Sequence, residues 1–197
     1  MATITITQRH RGGFGLLAAL YGGLAAGMSA PTAASQQSVD SFIVNAHYRA
    51  YGVNGSLETT AATPAAEHHH ASNHSLITAP DLLLNTATSG QWHITAQQAL
   101  AKDTEHLEFY GHVRLKQIST DHTKDKTIAT PRLTFSLQTH IASTTAPVSI
   151  TQPGTQVDAQ GMYADLNSGI ITLTHHPQGT YTPNHRPQKI ATKPLSR

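Results

Sequence analysis

Leu107 to Lys116 reads LEFYGHVRLK, and its side chains alternate. Leu107, Phe109, Gly111, Val113 and Leu115 fall on one side of a period-two ribbon. Glu108, Tyr110, His112, Arg114 and Lys116 fall on the other. This is the pattern of a β-strand with one dry and one wet face. Gly111 interrupts the dry face, which in a strand points to a bend, a bulge or the close approach of another group.

The surrounding chain repeats the unit. Ile94-x-Ala96-x-x-Ala99, Ile128-x-Thr130-x-x-Leu133 and Val157-x-Ala159-x-x-Met162 share one spacing, and each start is followed 13 residues on by Leu107, Ile141 or Ile170. Polar turns fall between, at Asp103-Thr104-Glu105-His106 and Asn167-Ser168-Gly169. Such self-similarity marks stacked supersecondary units. A lone hairpin cannot bury its apolar face, so the units must join into one sheet system.

Further strands are expected at Phe42–Ala50, at Leu57–Ala61 after the hairpin signal Asn54-Gly55, at Leu82–Thr86 and at Trp92–Ala96. Leu133, Phe135, Leu137, Thr139 and Ile141 alternate as one continuous strand, and Ile170–His176 is expected to be the last. Thr63–Asn73 reads as a polar loop. No segment after Asp40 has helical periodicity. The expected fold is all-β, an open β-jellyroll of stacked antiparallel hairpins preceded by one N-terminal transmembrane helix.

That helix rests on the uncharged run after Arg9-His10-Arg11. Its apolar part, Gly13 to Ala30, would make a helix roughly 27 Å long at ~1.5 Å per residue, close to the ~30 Å hydrocarbon thickness. The basic flank places residues 1–11 in the cytoplasm and the main domain outside. Gly15, Ala19, Gly23 and Gly27 recur every fourth residue and form a small-residue stripe suited to packing against other transmembrane helices. A cleaved signal peptide ending near Thr32-Ala33-Ala34 is the competing reading. Domains are therefore expected at 1–11 (cytoplasmic), 12–30 (anchor), 31–39 (linker), 40–183 (jellyroll) and 184–197 (tail).

Composition narrows the function. The chain has 197 residues, of which only 12% are charged, with a formal net charge of +2. No basic block is interleaved with aromatics, so nucleic-acid binding has little support. Cysteine is absent, which removes disulfides, thiol nucleophiles and thiolate metal sites. His68, His69, His70 and His74 are the best metal candidates, but an Ala/Ser/Pro loop gives them no fixed spacing, and a solvated loop is the plainer account. His175-His176 reads as surface. Asp103 and Glu105, or Asp121 and Asp125, sit in expected turns where carboxylates are ordinary. No metal, cofactor or catalytic residue is assigned.

What remains is an apolar inner face: Ile94, Leu107, Phe109, Val113, Leu133, Phe135, Leu137, Ile141, Val148 and Ile150. Packed shut it is a core. Held open it is a trough for a hydrophobic ligand. At the far end, Ile170, Ile171, Thr172, Leu173 and Thr174, beside Gly161 and Tyr163, would form a terminal edge able to accept another strand.

The ordered set of features resembles the LptC family, the bitopic component of the bacterial lipopolysaccharide export machine. It comprises the N-terminal run, Trp92-His93-Ile94-Thr95-Ala96, Tyr110-Gly111-His112-Val113, the Ile128/Thr130/Leu133 unit, Ala146-Pro147-Val148, Val157–Met162 and Gly179–Pro183. The resemblance implies a non-enzymatic protein of the inner membrane whose periplasmic domain takes lipopolysaccharide from the ATP-driven extractor and passes it to the bridge protein LptA. It implies that the apolar face holds acyl chains and that the C-terminal edge docks LptA. It also implies that the N-terminal helix and N-terminal edge meet the transporter's membrane subunits. The His-rich segment Glu67–His74 and the weakly apolar anchor depart from the family pattern. A soluble LptA-like bridge protein and a periplasmic His-rich metal-binding protein are the alternatives.

Overall fold

The computed structural model describes residues 4–9, 41–70, 72–103, 105–118 and 125–182. Among them there are strands and no helix: β1 (Ile4–Arg9), β2 (Ser41–Tyr51), β3 (Leu57–His69), β4 (His74–Thr78), β5 (Asp81–Thr86), β6 (Gly90–Thr95) and β7 (Gln98–Ala101), then β8 (His106–Ile118), β9 (Lys126–Ser136), β10 (Ile141–Gln152), β11 (Thr155–Asp165), β12 (Ile170–Leu173) and β13 (Gln178–Tyr181).

The register divides them into two layers. In the first, the start of β2 is followed by the end of β3, β4, β7, the start of β8, the end of β9, the start of β10, the end of β11, and β12. In the second, the end of β2 is followed by the start of β3, β5, β6, the end of β8, the start of β9, the end of β10, the start of β11, and β13. Each long strand thus serves both layers and bends midway. At about 4.8 Å between strands, each layer is on the order of 40 Å long.

The bends line up as a seam, and the local sequence explains them. Thr63-Pro64 and Thr130-Pro131 are equivalent corners. Thr63 Oγ1 reaches the carbonyls of Ala65 and Thr78 at 2.7 and 2.5 Å, and Thr130 Oγ1 reaches those of Arg132 and Pro147 at 3.1 and 2.9 Å. Proline cannot donate to a ladder, so it fits where pairing changes partner. In β8 the corner is Gly111-His112, both left-handed (φ 73° and 47°), and pairing with β9 shifts there between Tyr110 and Val113. In β11 the corner is Gly161, at φ 101°.

The repeat seen in the sequence is this bend. Ile94, Ile128 and Val157 lie in the second layer just before a corner, and Ala99, Leu133 and Met162 lie in the first layer just after it.

Three expectations are corrected. Thr63–Asn73 is not a loop: β3 runs to His69 and β4 begins at His74, so the histidines close a hairpin. Leu133–Ile141 is not one strand: β9 ends at Ser136, and His140, left-handed at φ 56°, donates its N–H back to the Ser136 carbonyl at 3.0 Å. Ile170–His176 is not the final strand: β12 stops at Leu173, His175 and His176 turn through the left-handed region, and β13 continues along the second layer.

At the opposite end, β1 lies parallel on β2, Ile4 beside Ala46 through Arg9 beside Tyr51. Ser41–Val44, in the first layer, keeps an open outer edge among the described residues. The expected anchor at residues 12–30, with Gly15, Ala19, Gly23 and Gly27, lies outside the described residues, as does the tail. Among the described residues no helix is long and apolar enough to cross a membrane.

Candidate functional site

Large side chains fill the space between the layers from the middle of the molecule to its C-terminal end. Trp92, Ile94, Phe109, Val113, Leu115, Ile128, Leu133, Phe135 and Leu166 have no exposure, and Met162 is also buried. The N-terminal end is different. There the residues that β2 and β3 contribute to the wall are mostly small, Ala46, Ala61, Ala62 and Ala66 among them. An apolar cavity of about 60 Å³ results, lined by Ala46, Tyr48, Ala61, Ala66, Ile77, Leu82, Ala99, Leu107 and Phe109 among others. It lies well below the roughly 300–1,000 Å³ of a drug-sized ligand site.

Tyr48 stands on the cavity wall with its ring buried. Burial removes water from its hydroxyl and pushes its pKa up to about 12.

Opposite the seam, Ser89 joins the free lips of the two layers. Ser89, in the β5–β6 turn, donates from Oγ to the Leu166 carbonyl in the β11–β12 turn of the other layer. The same oxygen accepts from Trp92 Nε1 at 2.8 Å, and Gln117 Nε2 donates to the Ser89 carbonyl at 2.7 Å. A Cβ placed on Gly169 would lie 3.0 Å from Ser89 Cβ. The seam is continuous backbone, whereas this lip is held by hydrogen bonds and contact.

Of the ten residues read as the apolar inner face, Leu107 and Phe109 line the cavity. Ile94, Val113, Leu133, Phe135, Val148 and Ile150 are buried in the closed core behind it, and Leu137 and Ile141 are half-buried. Val113 and Val148 also border an open groove of about 570 Å³ on the outer side of the seam, with His112, Arg114, Pro131, Pro147 and Asp158. Tyr110 faces outward, where Arg132 sits 5.6 Å from its ring centre. It donates to Glu108, and that bond, with Lys102 at 2.9 Å, holds the Glu108 carboxyl below its ordinary range.

The sequence missed Ala46, Tyr48, Ala61, Ala66, Ile77 and Leu82 as cavity residues. Ala61, Thr63 and Ala66 repeat the spacing of Ile94, Ala96 and Ala99, and that fourth copy was the available signal.

At the C-terminal edge, Gly161 and Tyr163 belong to β11, which is flanked by β10 and β12, so their backbone offers no free edge. Gly161 is a corner, and its carbonyl accepts from the N–H of Thr174 at 3.0 Å. Among the described residues the free edge belongs to Ile170, Ile171, Thr172 and Leu173 of β12 and to β13. Ile170, Tyr163 and Tyr181 expose 65, 51 and 71% of their surface here.

The histidines pair locally. His68 Nδ1 lies 3.0 Å from Ser75 Oγ, and the rings of His69 and His74 lie 5.3 Å apart across the hairpin. No group of three or more potential ligands gathers to hold a metal among the described residues.

Among the described residues the chain is thus a two-layer β-jellyroll with a mostly apolar cavity at one end and unpaired strand edges at both ends. The lipopolysaccharide-assembly, LptC-related family matches residues 14–182, and the chain belongs to it. Among solved structures it resembles LptH, the LptA homologous periplasmic component of the conserved lipopolysaccharide transport device from Pseudomonas aeruginosa. The identity is 8%, the TM-score 0.51, and the overlap covers 64% of this chain and 95% of that one. At that identity the likeness shows the fold. No curated protein matches the sequence.

Proposed function

We propose that this chain carries lipopolysaccharide by its acyl chains, taking it from the membrane extractor and passing it to an LptA-like periplasmic protein. Family membership supports the transport role and gives no support to catalysis. The observation that carries the finer reading is the cavity at the β2–β5 end, whose inner wall is Leu107 and Phe109, the first residues of the apolar core. Acyl chains enter there and advance as the lip opens. Fully exposing one of the core side chains costs about 1.5–3 kcal/mol, so the layers part when acyl chains replace the lost contacts.

A photo-crosslinking group at Phe109 is expected to capture lipopolysaccharide, and one at Tyr110, on the outer face, is not. Capture at Phe135, deeper in the core, should require an active extractor. Equal capture at Phe109 and Tyr110 would sink the internal route.

Transporter subunits meet the open Ser41–Val44 edge, where Phe42 is 60% exposed, and pack on the stripe Gly15, Ala19, Gly23 and Gly27. An anchor at 12–30 would place Ile4–Arg9 and β2 on opposite sides of the membrane, so β1 leaves β2 when the chain inserts. The mass of the mature protein tests this. An intact N-terminus supports the anchor, and a chain beginning near Ser35 removes it.

A further inference from the structure

The cavity wall is mostly apolar, and its polar-bearing residues are His47, Tyr48, Thr63 and Asp81. Tyr48 Oη is buried and has no hydrogen-bond partner among the described residues. Tyr48 itself is only 7% exposed, and its inward course is fixed by β2, whose partner Ala61 lies directly across the ladder. Ile77, Leu82, Leu107 and Phe109 are the large apolar side chains of the wall. A buried donor without an acceptor is costly, and each such group in a native fold calls for an explanation. A purely structural position would be served as well by phenylalanine.

We propose that the Tyr48 hydroxyl is the polar anchor of the cavity, donating a hydrogen bond to the ester or amide carbonyl that joins an acyl chain to its headgroup. A plain alkyl chain offers no such acceptor. The cavity therefore distinguishes acylated amphiphiles from alkyl ones of equal length, and it sets how deep the chain is held, because the carbonyl stops at Oη. The high pKa agrees with this role, since the phenol stays protonated and remains a donor throughout the physiological range. The inference rests on the transport reading and adds the chemical group by which the ligand is recognised.

The test uses the full chain and two detergents of equal chain length below their micelle concentrations, N-decanoyl-N-methylglucamine, which has an amide carbonyl, and decyl maltoside, which has none. Titration calorimetry should show the wild type favouring the first by about tenfold, the usual size of one buried hydrogen bond. Tyr48→Phe should lose that factor for the amide and leave the alkyl detergent unchanged. Without ligand, Tyr48→Phe should melt at the same temperature or higher, because it deletes an unpartnered group. If Tyr48→Phe melts lower and binds both detergents like the wild type, an internal water satisfies the hydroxyl and the inference falls. Equal losses for both detergents would mean that Tyr48 only packs, and would overturn it too. If the wild type captures neither detergent, the cavity takes no acyl ligand and the internal-route reading falls with this one. Binding of both without discrimination leaves that reading standing and removes only the anchor.

Discussion

Oxidised S89C/G169C protein is expected to transfer lipopolysaccharide to an LptA-like acceptor at least tenfold more slowly than the same protein reduced. The two positions face each other across the lip, where a Cβ on Gly169 lies 3.0 Å from that of Ser89. A disulfide prefers roughly 3.5–4.5 Å between Cβ atoms, so a small outward shift suffices. The chain has no cysteine to compete for pairing. Gly169 is left-handed at φ 72°, where any side chain is strained by about 1–3 kcal/mol. The comparison is therefore between the two redox states of one variant.

In the native chain Ser89 on the Leu166 carbonyl crosses the lip, worth about 1 kcal/mol net, while Gln117 holds Ser89 in place from its own layer. An entering acyl chain can offset that, but it cannot break a disulfide. Binding of small amphiphiles at the N-terminal cavity should survive oxidation, because Tyr48, Leu107 and Phe109 lie apart from the latch. Unchanged transfer in the oxidised state would show that lipopolysaccharide never passes between Ser89 and Leu166.

The layered β architecture was legible wherever large apolar residues alternate. Leu107–Leu115 lies in one strand with the expected faces, and Gly111 marks its bend. The strands around the histidines were not legible. Ala61, Ala66 and His68 point inward, yet alanine and histidine give no hydrophobic alternation to read. The break after Ser136 was hidden for the opposite reason. Leu137 and Ile141 prolong the alternation through a turn that is set by hydrogen bonds, Leu137 N–H to the Glu105 carbonyl and His140 N–H to that of Ser136.

The inner face was read correctly as a face, but its partition into cavity and closed core was not visible. That partition depends on what stands opposite each residue. Phe109 borders a cavity because the facing strands carry alanine, whereas Phe135 is sealed within the packed core and stacks beside His140. Tyr48 could be placed on a strand from the sequence, but nothing local shows that its hydroxyl would lack a partner.

Ile171→Pro is expected to weaken binding of an LptA-like partner at least tenfold while leaving the fold intact. Thr172→Pro should instead destabilise the protein. The difference follows from the direction of the amides. Thr174 donates to the Gly161 carbonyl, and in an antiparallel ladder inward and outward amides alternate. Thr172, paired with Tyr163, therefore aims its N–H at β11, and Ile171 and Leu173 aim theirs at the open edge. A docking strand would take those outward donors, and proline is tolerated in an edge strand only where its missing N–H faced outward. Ile171 also packs partly against the core, so Ile171→Ala is the comparator that removes the side chain but keeps the amide. Binding by Ile171→Pro equal to that of Ile171→Ala would place the handover elsewhere, with the β2 edge and its exposed Phe42 as the other open edge of that layer among the described residues.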